Sequence, residues 1–218
     1  MITTIICNHN YGRFIKDAVG TALSQTVENR VVVVDDGSTD GSVDLIPSSV
    51  DLIKTNHVGP SQARNEAIKA FWDDTDVFAI LDADDFWHIR RLETLLPYLN
   101  DQVGAVYSNY YHLYEDGNSK KEWKESFGRN RLLQECMVHS GCLITKEALL
   151  HAYRDGYFYD PQMRTCEDYD LWIRISDKFT IAHCPEFLAF VRVHSQNSTQ
   201  SVKQEIWNYN WNRIREKL

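Results

Sequence analysis

The stretch from residue 31 to residue 42 reads VVVVDDGSTDGS, and it decides the fold class. Its first four residues are β-branched and uninterrupted, which is typical of a strand buried on both faces, as in a parallel sheet. The run stops at Asp35, and the glycine, serine and aspartate residues that follow predict a turn and the cap of a helix. A buried strand that ends in a polar turn indicates an α/β sheet, whose ligands bind beyond the carboxyl ends of the strands.

The same alternation continues on both sides of this stretch. Short apolar runs and amphipathic segments predict strands at residues 3–7, 52–55, 77–81 and 103–108, and helices at 14–24, 59–72 and 90–99. This order predicts a doubly wound, Rossmann-like sheet with right-handed crossovers and flanking helices.

The second half of the chain is less regular. Further predicted elements are a hairpin turn at residues 115–118, strands at 143–145, 180–183 and 188–193, and helices at 146–153 and 167–175. Four apolar residues at helical spacing predict a C-terminal helix that packs on the core or faces a partner: Trp207, Trp211, Ile214 and Leu218. We expect one domain over residues 1–218, with a nucleotide half at about 1–110 and an acceptor half at about 111–218.

Composition excludes several classes of protein. The net charge of −8 argues against a general nucleic-acid binder, which needs a basic face. No apolar run approaches the roughly 18 to 20 residues of a membrane span, and the N-terminus lacks the basic region of a signal peptide. The five cysteines form no CxxC pair, so a reduced, cytoplasmic compartment is the default expectation.

The acidic balance also constrains any anionic ligand. A negatively charged protein that holds a phosphate needs a local cation, which is either a cluster of basic side chains or a bound metal ion.

Acidic residues follow two of the predicted buried strands. Asp36 comes after residues 31–34, where it either belongs to a plain turn or accepts a hydrogen bond from the N–H of a base such as uracil. Asp82, Asp84 and Asp85 come after residues 77–81, where they form either a solvated turn or a cation site, because close carboxylates repel one another. Carboxylate oxygens suit Mg²⁺ or Mn²⁺, which also bind diphosphates.

A third acidic cluster, Glu167-Asp168-Tyr169-Asp170, opens the predicted helix at 167–175. Residues 165–168 fit a capping box, and acids are favoured in the first turn of a helix. The functional interpretation is that Asp168 is a general base that takes the proton of an acceptor hydroxyl.

Three further positions carry weaker signals. Arg64 lies near a predicted helix N-terminus, where it either supports a bound anion or forms a surface salt bridge. His194 follows residues 188–193 and is either structural or a ligand of a metal or phosphate. The run His9-Asn10-Tyr11 follows the first strand and either flanks a base or packs within its loop.

Taken together, five stretches in this order resemble family 2 glycosyltransferases of the GT-A fold. They are TTIICNHNYGRFIKDAVGTALSQT…VVVVDDGSTDGS, GPSQARNEAI, LDADDFW, EDYDLWIRI and VRVHSQNSTQS. The resemblance covers about residues 3–201. It implies that Asp36 contacts the base, that His9, Asn10 and Tyr11 flank it, and that Arg64 lies near the donor.

The resemblance also implies roles for the acidic clusters. Asp82, Asp84 and Asp85 match the DxD region that binds the ribose and the metal, and Asp84 and Asp85 are the favoured metal ligands together with His194. Asp168 matches the catalytic base of inverting members. The chain lacks the QxxRW motif of the membrane-embedded branch, and it can be one unit of a longer multidomain enzyme.

The function expected from the resemblance is a Mn²⁺- or Mg²⁺-dependent, inverting transfer of a hexose or deoxyhexose from a UDP-sugar to a hydroxyl of a carbohydrate acceptor. GDP or dTDP as the carrier nucleotide, and retention of configuration, remain open. One alternative is an Asp-dependent phosphohydrolase, although Phe86 stands where the DxDx[T/V] pattern requires Thr or Val. Another is a non-catalytic module that binds a divalent metal.

Overall fold

A computed structural model of the chain describes residues 1–217 and, for Ser198 and Thr199, the backbone alone. The strands are β1 (Ile2–Asn8), β2 (Arg30–Asp36), β3 (Asp51–Thr55), β4 (Val77–Asp82), β5 (Phe86–Trp87), β6 (Val103–Tyr114), β7 (Ser119–Glu122), β8 (Leu143–Thr145) and β9 (Thr180–Val193). The helices are α1 (Ile15–Leu23), α2 (Pro60–Ala70), α3 (Arg91–Leu95), α4 (Arg129–Leu132), α5 (Lys146–Ala152), α6 (Glu167–Ser176), α7 (Ser198–Ser201) and α8 (Gln204–Arg215). Short 3₁₀ helices span Ser42–Leu45 and Leu96–Tyr98.

The strands form one mixed sheet in the order β3-β2-β1-β4-β8-β6-β9-β5, and β7 pairs with β6. The first four strands in this order are parallel, β8 is antiparallel to both of its neighbours, and β6 is parallel to β9. The predicted doubly wound mixed α/β fold is therefore confirmed.

Two apolar cores lie on opposite faces of this sheet. Val32 and Val34 belong to one core, together with residues of α2, α5 and α6. Val31 and Val33 belong to the other, together with residues of α1 and α3. Since successive strand residues point to opposite faces, burial of all four confirms that the β-branched run is covered on both sides.

The parallel pairing brings the polar ends of three strands to one edge. Cys7 of β1 pairs with Asp82 of β4, and Asn8 pairs with Asp35 of β2. The acidic residues that follow β2 and β4 are therefore neighbours, although they are far apart in the chain.

The second half differs from the prediction in several places, which include the unpredicted short helices α4 and α7. β9 is one strand where the pattern predicted two, because Pro185 interrupts the apolar run while the chain continues along β6 through register shifts. β6 extends six residues past its predicted end and forms the predicted hairpin with β7, with Gly117 at φ 85° in the turn. In α8, Trp207, Trp211 and Ile214 pack on the first core as predicted, whereas Leu218 lies outside the described residues.

Within residues 1–217, no helix combines the length and the hydrophobicity that crossing a membrane requires.

Candidate active site

A cavity of about 550 Å³ opens at the carboxyl edge of β1 and β4. On one side lies the acidic turn, defined as Asp82, Asp84 and Asp85, and on the other lies the acidic helix start, defined as Glu167 and Asp168 of α6. The cavity is lined by these five carboxylates and by three guanidinium groups, those of Arg64, Arg164 and Arg192. The cavity therefore has more acidic than basic side chains in its lining.

Arg64 of α2 joins the two acidic segments. It is only 5% exposed, and its Nη1 donates to Glu167 Oε1 at 2.6 Å while its Nη2 donates to Asp82 Oδ1 at 3.0 Å. Burial opposes its charge, but the carboxylates of Glu167 and Asp82 outweigh burial and raise its pKa. Asp82 also accepts a hydrogen bond from Ser140 Oγ at 2.6 Å. The interpretation of Arg64 as a surface salt bridge is wrong, because it is a buried cation whose charge is already shared by two acids.

Asp84 meets His194 at the cavity, although 110 residues separate them in the chain. The His194 Nε2 lies 3.1 Å from Asp84 Oδ2, and Asn197 Nδ2 donates to the same oxygen at 2.9 Å. Burial and the charge of Asp82 raise the pKa of Asp84, while His194 opposes this rise. Asp84 is thus a buried carboxylate beside an imidazole, which are two of the side-chain types that bind divalent transition metals.

The protein side chains at the cavity form an incomplete set of metal ligands. Among the described residues, no three His, Cys, Asp or Glu side chains converge as a metal-binding group. Mg²⁺ and ions like it nevertheless bind through one or two carboxylates and take their other ligands from water and substrate phosphates. The pair of Asp84 and His194 fits an ion that is completed by a diphosphate rather than a closed protein cage.

Arg192 of β9 fixes the acidic turn in place. Its backbone N–H donates to Asp85 Oδ1 at 2.9 Å, and its Nη1 donates to the carbonyl of Asp84 at 2.8 Å. Its guanidinium also lies 4.6 Å from the centre of the Phe86 ring. Burial and the charges of Asp84 and Asp82 raise the pKa of Asp85. Sequence reasoning assigned Arg192 no role of its own, and the only signal for it was its position at the end of a strand beside His194.

Asp168 lies in the first turn of α6, where its Oδ1 accepts the backbone N–H of Tyr169 at 2.7 Å. Burial and the charge of Glu167 raise the pKa of Asp168 to about 7, against the opposing effect of Arg64. A carboxyl with this pKa exchanges protons near neutrality, as a general base must. Glu167, which sequence reasoning left without a role, is the partner that holds Arg64 beside it.

The predicted capping box at residues 165–168 is wrong. The N-cap of α6 is Cys166, at φ 61°, and no side chain caps it. The hydroxyl of Thr165 instead accepts a hydrogen bond from Asn210 of α8 at 2.9 Å. The acids at the start of α6 are therefore not explained by helix capping.

Asp36 is buried at the end of β2, where its carboxylate accepts three hydrogen bonds. Its two oxygens accept hydrogen bonds from Thr55 Oγ1 at 2.7 Å, from the N–H of Val58 at 2.7 Å and from the N–H of Gly59 at 2.8 Å. Burial opposes ionisation, but these hydrogen bonds lower the pKa, so Asp36 is a carboxylate. An ionised carboxylate has about four acceptor sites, which leaves one for a ligand.

The three residues after β1 divide between the loop and the cavity. His9 Nδ1 lies 2.7 Å from the carbonyl oxygen of Asp36, and the His9 ring lies 4.5 Å from the His57 ring. Asn10 has φ 59°, and its Oδ1 accepts the N–H of Thr39 at 2.8 Å. Tyr11 lines the cavity, where burial and the acidic turn raise its pKa and keep it neutral.

Comparison with known proteins adds an independent finding. Residues 3–154 match the family model described as glycosyl transferase family 2. The chain is 27% identical over 224 residues to TuaG of Bacillus subtilis, a glycosyltransferase whose name assigns it to teichuronic acid biosynthesis. That match covers 97% of this chain and 86% of TuaG.

Two solved structures share the fold. TarS 1-349 of S. aureus in complex with UDP-GlcNAc superposes with a TM-score of 0.74 at 17% identity, over 93% of this chain and 61% of that chain. Glucosyl-3-phosphoglycerate synthase of Mycobacterium tuberculosis, in complex with Mn²⁺, UDP and phosphoglyceric acid, superposes with a TM-score of 0.62 at 15% identity. That match covers 98% of this chain and 78% of that chain.

Proposed function

Because the chain belongs to glycosyl transferase family 2, we propose that it transfers a hexose or deoxyhexose from a UDP-sugar to a hydroxyl of a carbohydrate acceptor. Two proteins of the same fold bind UDP-GlcNAc and UDP, respectively, which supports UDP as the carrier nucleotide. We assign about residues 1–110 to the donor and about 111–218 to the acceptor and catalysis, because the acidic turn and Asp36 lie in the first part and Asp168 in the second.

The excess of carboxylates over guanidinium groups in the cavity carries this proposal. Arg64 is already paired with Asp82 and Glu167, so its charge is not free for a diphosphate, and a further cation would help the site to hold one. We assign a Mn²⁺ or Mg²⁺ ion to Asp84 and His194, with Asp85 as the third candidate ligand. When bound, such an ion would offset the charge of the diphosphate and stabilise it as a leaving group.

The donor nucleotide is assigned to the loops after β1 and β2. The remaining acceptor site of Asp36 suits the N–H of uracil, and its lowered pKa keeps it able to accept that hydrogen bond at neutral pH. His9, Asn10 and Tyr11 lie in the adjoining loop, where they would flank the base. Asp82 pairs with Cys7 just before this loop, and Arg64 joins Asp82 to Glu167, the neighbour of Asp168, so we place the ribose and the sugar there.

Asp168 acts as the general base in the proposed reaction. It removes the proton from the acceptor hydroxyl as that oxygen forms a bond to the anomeric carbon. The bond between the anomeric carbon and the diphosphate oxygen breaks at the same time, and its electron pair leaves with UDP. Attack on the face opposite the leaving group inverts the configuration at this carbon.

Two measurements test the proposal. Calorimetry should show UDP binding in the presence of Mn²⁺ and a large loss of affinity after chelation. A panel of UDP-, GDP- and dTDP-sugars should then include a donor that the protein hydrolyses slowly in a Mn²⁺-dependent reaction, and NMR of the released or transferred sugar reads its anomeric configuration.

The alternatives give different results in the same assays. A phosphohydrolase would release inorganic phosphate from phosphomonoesters and leave nucleotide-sugars intact. A non-catalytic metal module would bind the ion without UDP and hydrolyse nothing. Metal-independent UDP binding with unchanged hydrolysis after chelation would overturn the metal assignment while leaving sugar transfer in place.

A further inference from the structure

A second, smaller cavity of about 310 Å³ lies beside the main one and is not used by the proposed reaction. It is lined by Cys166 and by four residues of α8: Gln204, Trp207, Asn208 and Trp211. Cys166 and Trp207 also line the main cavity, so the two spaces share a wall. A ligand that extends out of the main cavity can therefore continue along α8 into this smaller cavity, which is called the groove below.

Helix α8 is attached to the segment that carries the proposed base. Asn210 is buried and donates to Thr165 Oγ1, and the ring of Trp211 stacks on Tyr169 with 4.8 Å between ring centres. Thr165 and Tyr169 lie on either side of Asp168 in the chain. The C-terminal end of α8 is held further by ion pairs from Arg213 and Lys217 to Asp160. These contacts set the position of α8, and so of the groove that it lines, relative to Asp168.

The chemistry of the groove suits an uncharged, hydroxyl-rich ligand. Among the described residues, its lining includes no carboxylate, ammonium or guanidinium group. Burial raises the pKa of the Cys166 thiol to about 11, so this side chain is also uncharged at neutral pH. Gln204 Nε2 donates to Asn208 Oδ1 at 3.1 Å, which fixes two amides whose other polar atoms can bind hydroxyl groups.

The two tryptophans of the groove differ in what covers them. Trp211 is flanked by the Tyr169 ring and by the Arg215 guanidinium, which lies 5.5 Å from its centre. Within residues 1–217, no aromatic ring or cationic group is stacked on Trp207, which packs on the core and lines both cavities. Trp207 is therefore the apolar surface available to a ligand, with the amides of Gln204 and Asn208 beside it.

From these observations we propose that the groove on α8 is an acceptor subsite that binds an uncharged sugar unit against Trp207. This unit neighbours the sugar whose hydroxyl lies at Asp168. The enzyme accordingly acts on an acceptor of at least two sugars and not on a free monosaccharide. The inference rests on the proposed function for the identity of the main cavity, but the binding of a saccharide to the groove can be measured without any turnover.

The test is saturation-transfer NMR of the full chain with cellobiose, maltose, lactose and chitobiose, each compared with its monosaccharide. We expect at least one disaccharide to bind the wild type more tightly than its monosaccharide. Trp207→Leu keeps an apolar side chain but removes the aromatic face, and it should weaken that binding by roughly tenfold or more. Trp207→Phe, which keeps an aromatic face, should retain most of the affinity.

Tyr209→Ala is the matched control, because Tyr209 is an aromatic residue of the same helix that is 65% exposed and lines neither cavity. It should leave disaccharide binding unchanged. The proposal is overturned if none of the four disaccharides binds the wild type. It is also overturned if Trp207→Leu binds the disaccharide as tightly as Trp207→Phe, or if Tyr209→Ala weakens disaccharide binding as much as Trp207→Leu. Titration of the same samples with UDP and Mn²⁺ reports separately on the proposed function, so the two failures are distinguishable.

Discussion

The acidic turn and the acidic helix start face the same cavity, but their carboxyl groups have different hydrogen-bond partners. In the turn, Asp82 receives hydrogen bonds from Arg64 and Ser140, and Asp84 receives them from His194 and Asn197. In the helix start, Glu167 accepts a hydrogen bond from Nη1 of the same Arg64 guanidinium. The only hydrogen bond to the Asp168 carboxylate among the described residues comes from the N–H of the next residue.

This difference explains how similar residues can have different roles. A carboxylate paired with a cation stays ionised and is suited to binding, whereas a buried one beside another negative charge holds its proton near neutrality. Asp168 is in the second situation, with a pKa of about 7. Asp85 of the turn shares this situation, because burial and the charges of Asp84 and Asp82 raise its pKa, but the backbone N–H of Arg192 ties Asp85 to β9.

The largest effect is expected for Asp168→Asn, which removes the base and keeps the shape of the side chain. Transfer should fall by about 10²–10⁴-fold, because general base catalysis typically contributes this much. Affinity for UDP with Mn²⁺ should change little. Steady-state kinetics and calorimetry on one preparation measure both quantities. The control is Asp177→Asn, an exposed carboxylate after the other end of α6 that should retain full activity. Equal activity of the two variants would remove Asp168 from the mechanism.

A second large effect is expected for Arg64→Met. This change leaves the carboxylates of Glu167 and Asp82 without their shared buried cation, which should lower the free energy of unfolding by about 3–5 kcal/mol. Urea denaturation measures the loss. Arg13→Met is the control, because Arg13 forms an exposed pair with Glu115 and should lose less than about 1 kcal/mol. Similar losses in both variants would mean that Arg64 does not link the two acidic segments energetically.

A smaller effect is expected for His194→Asn, which tests the turn as a binding site. If His194 and Asp84 share the ion, the affinity for Mn²⁺ in the presence of UDP should fall by roughly 10–100-fold. The same titration of His151→Asn, an exposed histidine on α5, should match the wild type. Unchanged Mn²⁺ affinity in His194→Asn would assign His194 to structural support of Asp84.

The smallest effect is a change of about tenfold per pH unit in the rate of transfer. Because Asp168 has to be ionised to accept a proton, the rate should rise with pH up to about 7 and then level off. The contribution of Asp168 to stability has the opposite sign. Its pKa is raised in the folded state, so its stabilising contribution is present at low pH and is lost as the pH rises through about 7.

The melting temperature of Asp168→Asn relative to the wild type checks this sign. Without nucleotide or metal, the variant should gain stability at pH 8 compared with pH 5, on the order of 2–4 °C if about 1 kcal/mol is recovered. A gain that is the same at both pH values would mean that the ionisation of Asp168 does not destabilise the folded state.

Local pattern predicted the first half of the fold well. The β-branched run at 31–34, the apolar run at 77–81 and the turns after them lie where expected, because strand period and turn chemistry depend on near neighbours in the chain. Local pattern was misleading where a proline interrupts β9 and where the start of α6 only resembles a capping box. At these places contacts with β6 and α8, which the local sequence does not contain, determine the structure.

The sequence by itself determined which residues stand at the carboxyl ends of the strands, and therefore which acids were candidates for the site. Only the tertiary structure decided their partners. Arg64 pairs with Glu167, which is 103 residues away in the chain, and Asp84 contacts His194, which is 110 residues away. Both contacts depend on how distant elements pack. The pKa of Asp168 and the groove beside Trp207 arise in the same way, because burial and charge neighbours are properties of the assembled fold.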